Sequence, residues 1–341
     1  MRQSRSVKIG IVGGGIRGGM FARALQENPD AEVVAICDRS PAVLDSMAAQ
    51  FGLPGYAEVS DMLADHPQLD AAVIATPDFA HREVAVACAQ SGLDLMVEKP
   101  LATDVADATA IIAAAEASGS RVMVGFENRW NVKFSSVRER LHGSGSRVTA
   151  QVISLNDTVY VPTRMLAWAA KSSPAWFLMP HTLDLACWMT GVAPVSVYAV
   201  GSREVLAASG IDTWDGIAAI FTMDDGSHVS LNSSWILPTS MPAVYDFRYE
   251  IQSTTDVVRI DGANHGVVDY GPEGMSWPQT AVYERDGRIR GVPIDMVNDF
   301  VRYVRGGDVA VPGPQEGLMI TTAIAAVHTS LATGQVVEIC R

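Results

Sequence analysis

The feature that most constrains this chain is the stretch Lys8-Ile9-Gly10-Ile11-Val12-Gly13-Gly14-Gly15-Ile16-Arg17-Gly18. Ile9, Ile11 and Val12 make an apolar run too short for a core helix and suited to a buried parallel strand. Gly13, Gly15 and Gly18 then give G-x-G-x-x-G, and helix formers follow from Met20 to Leu25. The first glycine permits a tight turn, the second lets the backbone approach a pyrophosphate, and the third lets helix and strand pack closely. Phosphate charge would rest on N–H groups at the helix N-terminus, where the macrodipole favours an anion. Gly13, Gly15, Ile16, Arg17 and Gly18 are therefore cofactor-binding candidates.

A glycine-rich turn without a ligand would carry the same motif, so its context decides. A second apolar run, Glu32 to Cys37, ends in Asp38, twenty residues after Gly18. An acidic residue at that place caps the second strand and accepts hydrogen bonds from the adenosine ribose hydroxyls. Asp38 would repel a 2′-phosphate, which favours NAD over NADP. Arg39 beside it keeps NADP open, because a guanidinium can hold that phosphate.

Strands and helices alternate from there. Helices are expected from Pro41 to Phe51 behind a Ser40 cap, at Asp61 to Asp65, at His81 to Ser91, and from a Thr103 cap to Ala117. Strands are expected at Leu69 to Ala75, Leu93 to Val97 and Arg121 to Gly125. This is the pattern of a doubly wound parallel sheet. Beyond Phe126 the strands lengthen and alternate polar with apolar residues, from Val148 to Leu155 through Val257 to Asp261. Asp224-Asp225-Gly226 marks a hairpin turn among them. A helical block, Ser173 to Met189, interrupts these strands, and two helices, Ile294 to Arg305 and Gln315 to Thr333, close the chain. The expected fold class is α/β: a Rossmann dinucleotide-binding domain over residues 1–127, then an α+β domain with a large, mostly antiparallel sheet over 128–341 for substrate and self-association.

The 341 residues suffice for two domains and a sizeable core. A formal net charge of −13 disfavours nucleic acid and anionic membranes as partners. Cys37, Cys88, Cys187 and Cys340 are scattered without metal-ligand spacing and fit a reducing compartment; no metal set is read. Neither a signal peptide in the polar stretch Met1 to Val7 nor a membrane span is read, so a cytoplasmic location is expected.

Two further segments can carry chemistry. Glu98-Lys99-Pro100 leaves the end of an expected strand, where open α/β sheets bind ligands, and its apolar flanks suggest an enclosed lysine with a lowered pKa. His181 and Asp184, three apart on a helix, share a face between Trp176 and Trp188. They can serve general acid–base transfer, with Asp184 orienting the imidazole.

The glycine turn, Thr76-Pro77 with His81, Glu98-Lys99-Pro100, Phe126-Glu127-Asn128-Arg129-Trp130 and His181-x-x-Asp184 together resemble the Gfo/Idh/MocA oxidoreductases, over nearly the whole chain. The resemblance implies hydride transfer between a nicotinamide and a secondary alcohol or ketone of a sugar, polyol or related carbohydrate. It implies Glu98 at the nicotinamide-side ribose, Lys99 touching cofactor and substrate hydroxyl, and His181 exchanging the proton. It also implies Thr76, Pro77 and His81 beside the cofactor, a cis Lys99–Pro100 bond, and a homodimer or homotetramer. One departure stands out: Phe177 occupies the place, four before His181, where such dehydrogenases often carry an Asp. Asn128, Arg129, Arg164, Trp168 and Trp176 are substrate candidates, with surface or core roles as their alternatives. Two rival readings remain: redox-assisted elimination or glycoside cleavage, and a non-catalytic regulator that senses dinucleotide and sugar.

Overall fold

The structure, a computed structural model, describes residues 5–271, 274–278 and 281–340; the first four residues of the polar N-terminal stretch lie outside these. The chain forms two compact units, Met1–Glu127 with Ala281–Leu318, and Asn128–Thr280 with Met319–Arg341.

The first unit begins with β1 (Val7–Val12), α1 (Ile16–Gln26), β2 (Ala31–Cys37), α2 (Pro41–Phe51), β3 (Gly55–Tyr56) and α3 (Val59–Asp65). It continues with β4 (Ala71–Ile74), α4 (His81–Gln90), β5 (Asp94–Glu98), α5 (Val105–Ser118) and β6 (Val122–Gly125). The strands form one six-stranded parallel sheet in the order β3-β2-β1-β4-β5-β6. Helices cover both faces of such a sheet, so every residue of β4 and β5 is buried and the strands read as unbroken apolar runs. Two residues of β3 are too few to leave such a run, and the sequence did not announce them. Asp104, not Thr103, caps α5: its Oδ1 accepts the N–H groups of Ala106 and Asp107 at 2.8 and 3.3 Å.

The second unit contains α6 (Val132–Ser144), β7 (Val148–Thr158), α7 (Pro174–Phe177), α8 (Met179–Thr190), β8 (Pro194–Ser202), α9 (Val205–Ala208) and β9 (Gly216–Met223). Then come β10 (His228–Leu237), β11 (Tyr245–Ser253), β12 (Val257–Asp261) and a small hairpin of β13 (Asp269–Gly271) and β14 (Gly274–Ser276). A second hairpin, β15 (Val282–Arg285) and β16 (Arg288–Gly291), and α10 (Val292–Val304) belong to the first unit; α11 (Pro314–Thr333) and β17 (Val337–Glu338) end the chain. The sequence reading assigns 281–318 to the second domain, but these residues cluster with the first. The amphipathic α10 announces that it packs, not against what. Its apolar face meets α1, and Arg121 donates to the carbonyls of Tyr303 and Val304 at its end, at 2.6 and 2.8 Å.

The seven-stranded sheet of the second unit has the order β12-β11-β7-β10-β9-β8-β17. Only β7 and β10 pair in parallel; the other pairings are antiparallel. One face, including Ile153, Phe221, Leu231, Trp235 and Tyr249, is buried, with α7 and α8 packed on its strands. On the other face Val152, Tyr198, Val200 and Ile220 are exposed. Register sets Tyr198 opposite Ile220, Ile220 opposite Ser230 and Ser230 opposite Val152, so three of these line one row across four strands. Among the described residues no helix is long and apolar enough to cross a membrane.

His328 ties α11 to α7. Its ring stacks on Trp176 at 5.3 Å and 14°, and its Nε2 lies 3.1 Å from the Ser173 hydroxyl that also accepts the Trp176 N–H. Burial pushes the His328 pKa down to about 4. The unfolded chain, with a histidine pKa of about 6.5, takes up the proton first as pH falls. Stability from this site is therefore full above about pH 6.5 and is lost as pH falls toward 4, by roughly 2–3 kcal/mol. Urea unfolding at pH 7 and at about pH 4.5 measures this loss, and His328→Phe flattens the difference.

Candidate functional site

In the first unit the glycine turn connects β1 to α1. Gly13 has φ +96°, and a Cβ there would lie 2.5 Å from the carbonyl carbon of Ala75. A Cβ at Gly18 would lie 1.8 Å from the Gly13 oxygen, so helix and strand close on each other only with glycine. A Cβ on Gly15 meets nothing within 4 Å, and Gly15 caps α1 without any side-chain bond to its first N–H groups. Open space in front of an uncapped helix N-terminus is what a pyrophosphate needs. Ile16, at the first position of α1, is exposed beside it.

Asp38 ends β2 and faces the turn. Its Oδ2 accepts the Gly14 N–H and its Oδ1 the Ser40 N–H, both at 2.7 Å. Each carboxylate oxygen keeps lone-pair capacity for a hydroxyl. Arg39 is turned to Glu83 at 3.0 Å and Glu58 at 3.6 Å. These residues fit a dinucleotide with free ribose hydroxyls; the guanidinium that could hold a 2′-phosphate already faces two carboxylates.

At the end of β5 the Glu98 carboxylate is buried. Arg17 donates from Nε and a terminal nitrogen to Glu98 Oε1, at 2.9 and 2.6 Å, and the same nitrogen lies 2.7 Å from Glu127 Oε2. The Arg17 side chain, a cofactor-binding candidate in the sequence, thus holds two acids. Lys99 donates its backbone N–H to Glu98 Oε2 at 3.2 Å, and the Lys99–Pro100 bond is cis. Burial lowers the Lys99 pKa; Glu98, Asp78 and Glu127 oppose the shift and Arg17 adds to it. Asp78 carries no signal in the sequence beyond its place after β4, and Glu127 stands there only within the Phe126–Trp130 stretch, without a role of its own.

His81 is buried between two backbone oxygens, with Nδ1 2.8 Å from Pro100 O and Nε2 3.1 Å from Thr76 O. Burial lowers its pKa, against Asp78 and both carbonyls. His81 so links the Thr76-Pro77 turn to the residue that follows Lys99.

In the second unit His181 opens α8, and its Nδ1 lies 3.4 Å from Asn128 Nδ2. Arg129 grips the buried Asp184 with two bonds, 3.0 and 2.5 Å. Asn128 and Arg129, substrate candidates in the sequence, here support the His181 and Asp184 side chains. Phe177 stands edge-on to Trp168 at 6.0 Å and to Trp235 at 5.7 Å, an aromatic trio. Trp176 is taken up by its stack on His328, and Arg164 is exposed on a wide turn, Val161–Met165.

Comparison with known proteins agrees with this geometry. Residues 7–126 match the profile of an oxidoreductase family with an NAD-binding Rossmann fold, and residues 143–259 match the GFO/IDH/MocA C-terminal domain. An inositol 2-dehydrogenase of Rhizobium meliloti (strain 1021) is 24% identical over 339 residues, covering 98% of this chain and 99% of that protein. The crystal structure of GenD2 from gentamicin A biosynthesis, in complex with NAD, has a TM-score of 0.85 at 22% identity, covering 99% of this chain and 98% of that one. That of scyllo-inositol dehydrogenase from Lactobacillus casei, with bound NAD(H) and scyllo-inositol, has a TM-score of 0.82 at 20% identity, covering 98% and 99%. At these identities the two structures speak for the fold.

Two glycine variants separate ligand binding from folding. Gly15→Asp supplies a good helix cap in open space, so its Tm holds or rises. Its carboxylate opposes a pyrophosphate, and NAD affinity by fluorescence titration falls by about tenfold or more, the equivalent of ~1.4 kcal/mol. Gly18→Ala forces helix and strand apart and lowers Tm by several degrees, roughly 1–3 kcal/mol.

Proposed function

The chain belongs to the Gfo/Idh/MocA oxidoreductases, and from that premise we propose that it oxidises a secondary alcohol of a cyclic polyol or sugar, with NAD preferred over NADP. The observation that carries this reading is Lys99, an amine whose pKa is lowered by enclosure at the strand end of the NAD-binding unit. The full-length likeness to an inositol 2-dehydrogenase supports a ring polyol as substrate.

In this reading the turn from Gly13 to Gly18 and the start of α1 take the pyrophosphate, with Thr76 and Pro77 alongside. Asp38 takes the adenosine ribose hydroxyls and Glu98 the nicotinamide-side ribose. When bound, NAD supplies the acceptor for the electron pair that leaves the substrate carbon. Lys99 hydrogen-bonds the substrate oxygen and stabilises its developing negative charge. His181 Nε2 exchanges the hydroxyl proton. Arg129 and Asp184 keep the start of α8 and the Asn128 turn in register.

The Asn128 amide bears on the direction of that proton. With its nitrogen toward Nδ1, as found, the neutral ring carries its proton on Nε2 and can donate to a carbonyl oxygen. Turned by half a rotation, its oxygen accepts from Nδ1–H and leaves Nε2 as the base that oxidation requires. Both amide orientations occupy the same volume, so one residue serves both directions.

Phe177 and Trp168 offer an aromatic surface beside His181, suited to the C–H face of a ring substrate. Tyr198, Ile220 and Val152 expose apolar side chains in one row across the sheet, with Ser230 between the last two, and we assign this row to contact with a second copy of the chain.

The test is reduced-nicotinamide absorbance with NAD or NADP and a panel of inositols, sugars and sugar acids. Steady NADH formation supports the reading, and Lys99→Met and His181→Gln each lower kcat by ~10²–10⁴-fold while NAD still binds. Turnover without net NADH marks redox-assisted elimination, and binding without turnover marks a regulator. Separately, Ile220→Lys should shift the solution mass toward that of the single chain by light scattering.

A further inference from the structure

The titratable groups around Lys99 come from five places in the first unit. Glu98 precedes it on β5, Asp78 follows β4, Glu127 follows β6, Arg17 enters from the first turn of α1, and His81 at the start of α4 is hydrogen-bonded to the next residue's carbonyl. Three are carboxylates, and a lysine facing three carboxylates in an enclosed site would stay an ammonium. Arg17 changes that balance. Its fork takes Oε1 of Glu98 with two bonds and reaches Oε2 of Glu127, and the guanidinium rests 4.8 Å over the Phe21 ring. Glu98 has room for this because a side chain on Gly125 would come within 3.3 Å of its carboxylate.

We infer that Arg17 is a positioning residue for Lys99: its guanidinium holds the Glu98 and Glu127 carboxylates, so that Lys99 donates its hydrogen bond to the substrate oxygen. The inference rests on the reading that Lys99 acts in the reaction. Two effects add. The bound carboxylates lose much of their pull on the ammonium, and the guanidinium itself repels a second cation nearby. Burial and Arg17 both act to lower the Lys99 pKa, in agreement with this arrangement. An ammonium with a lowered pKa is the stronger hydrogen-bond donor to a developing oxyanion.

The experiment is competitive acetylation of Lys99 by acetic anhydride across pH, read by peptide mass spectrometry on cofactor-free protein. Arg17→Met should move the labelling midpoint to higher pH, Arg17→Lys should restore it in part, and Glu127→Gln should move it to lower pH. Opposite shifts from the two partners cannot come from general loosening of the fold, and Glu127→Gln still reads out where Arg17→Met fails to fold. The pH dependence of kcat should follow the same order. Unchanged midpoints in folded Arg17→Met and Glu127→Gln proteins overturn the inference, as does an Arg17→Met protein altered only in KM for NAD, which would make Arg17 a phosphate contact. If Lys99→Met turns over substrate normally, it is the role of Lys99 that fails, and the labelling shifts remain to be judged on their own.

Discussion

No side chain fits between Gly18 and the carbonyl oxygen of Gly13, and the first unit is built on that contact. It fixes α1 against β1 at a distance no other residue allows. Arg17 immediately precedes the contact, so the origin of its long side chain is set with the same precision. From there the guanidinium spans to the end of β5, two strands from β1 in the sheet order. The turn that leaves room for a phosphate is thus also the anchor of the charge cluster beside Lys99. Backbone packing and site electrostatics are one construction.

Each unit places an acid in the interior and an arginine fork on it. Arg17 holds Glu98, Arg129 holds Asp184, and Arg121 holds Asp94 at 2.6 Å. A carboxylate removed from water is costly unless its lone pairs are met, and the planar fork meets two at once. The third pair is structural: Arg121 also closes the end of α10 through two carbonyls, which is how residues far along the chain are fastened to the parallel sheet. The first two stand next to the lysine and the histidine to which chemistry is assigned. An acid locked by a fork cannot wander toward a neighbouring titratable group, so the protonation of that neighbour is set by geometry rather than by chance encounter.

The parallel sheet was legible because buried strands leave unbroken apolar runs and the glycine motif has a backbone meaning at each position. The alternating strands of the second unit were legible for the complementary reason, one face wet and one dry. What the sequence could not carry was partnership. The amphipathic α10 declares an apolar face without naming α1 as its neighbour. Arg17 reads as a cofactor-binding candidate from its motif, and its bond to Glu98, eighty-one residues on, has no sequence signal. Asn128 and Arg129 read as substrate contacts, whereas their observed bonds go to His181 and Asp184. Asp78 was invisible, and Glu127 was named without a role, because a lone acid after a strand has no pattern. Local periodicity specifies elements; long-range ion pairs are set by the fold.

Phe177 illustrates how such partnerships limit chemistry. Its ring lies between Trp168 and the fully buried Trp235. A carboxylate at that position would face two indole rings in place of water on those sides. Desolvation alone would raise its pKa and favour the neutral acid, which cannot accept a proton. The aromatic trio and an acid at 177 are therefore alternatives, and this chain has taken the trio. In the proposed reaction, proton transfer in the second unit therefore rests on the imidazole of His181, with its tautomer coupled to the Asn128 amide, and the ring face of the substrate would fill the space beside Phe177.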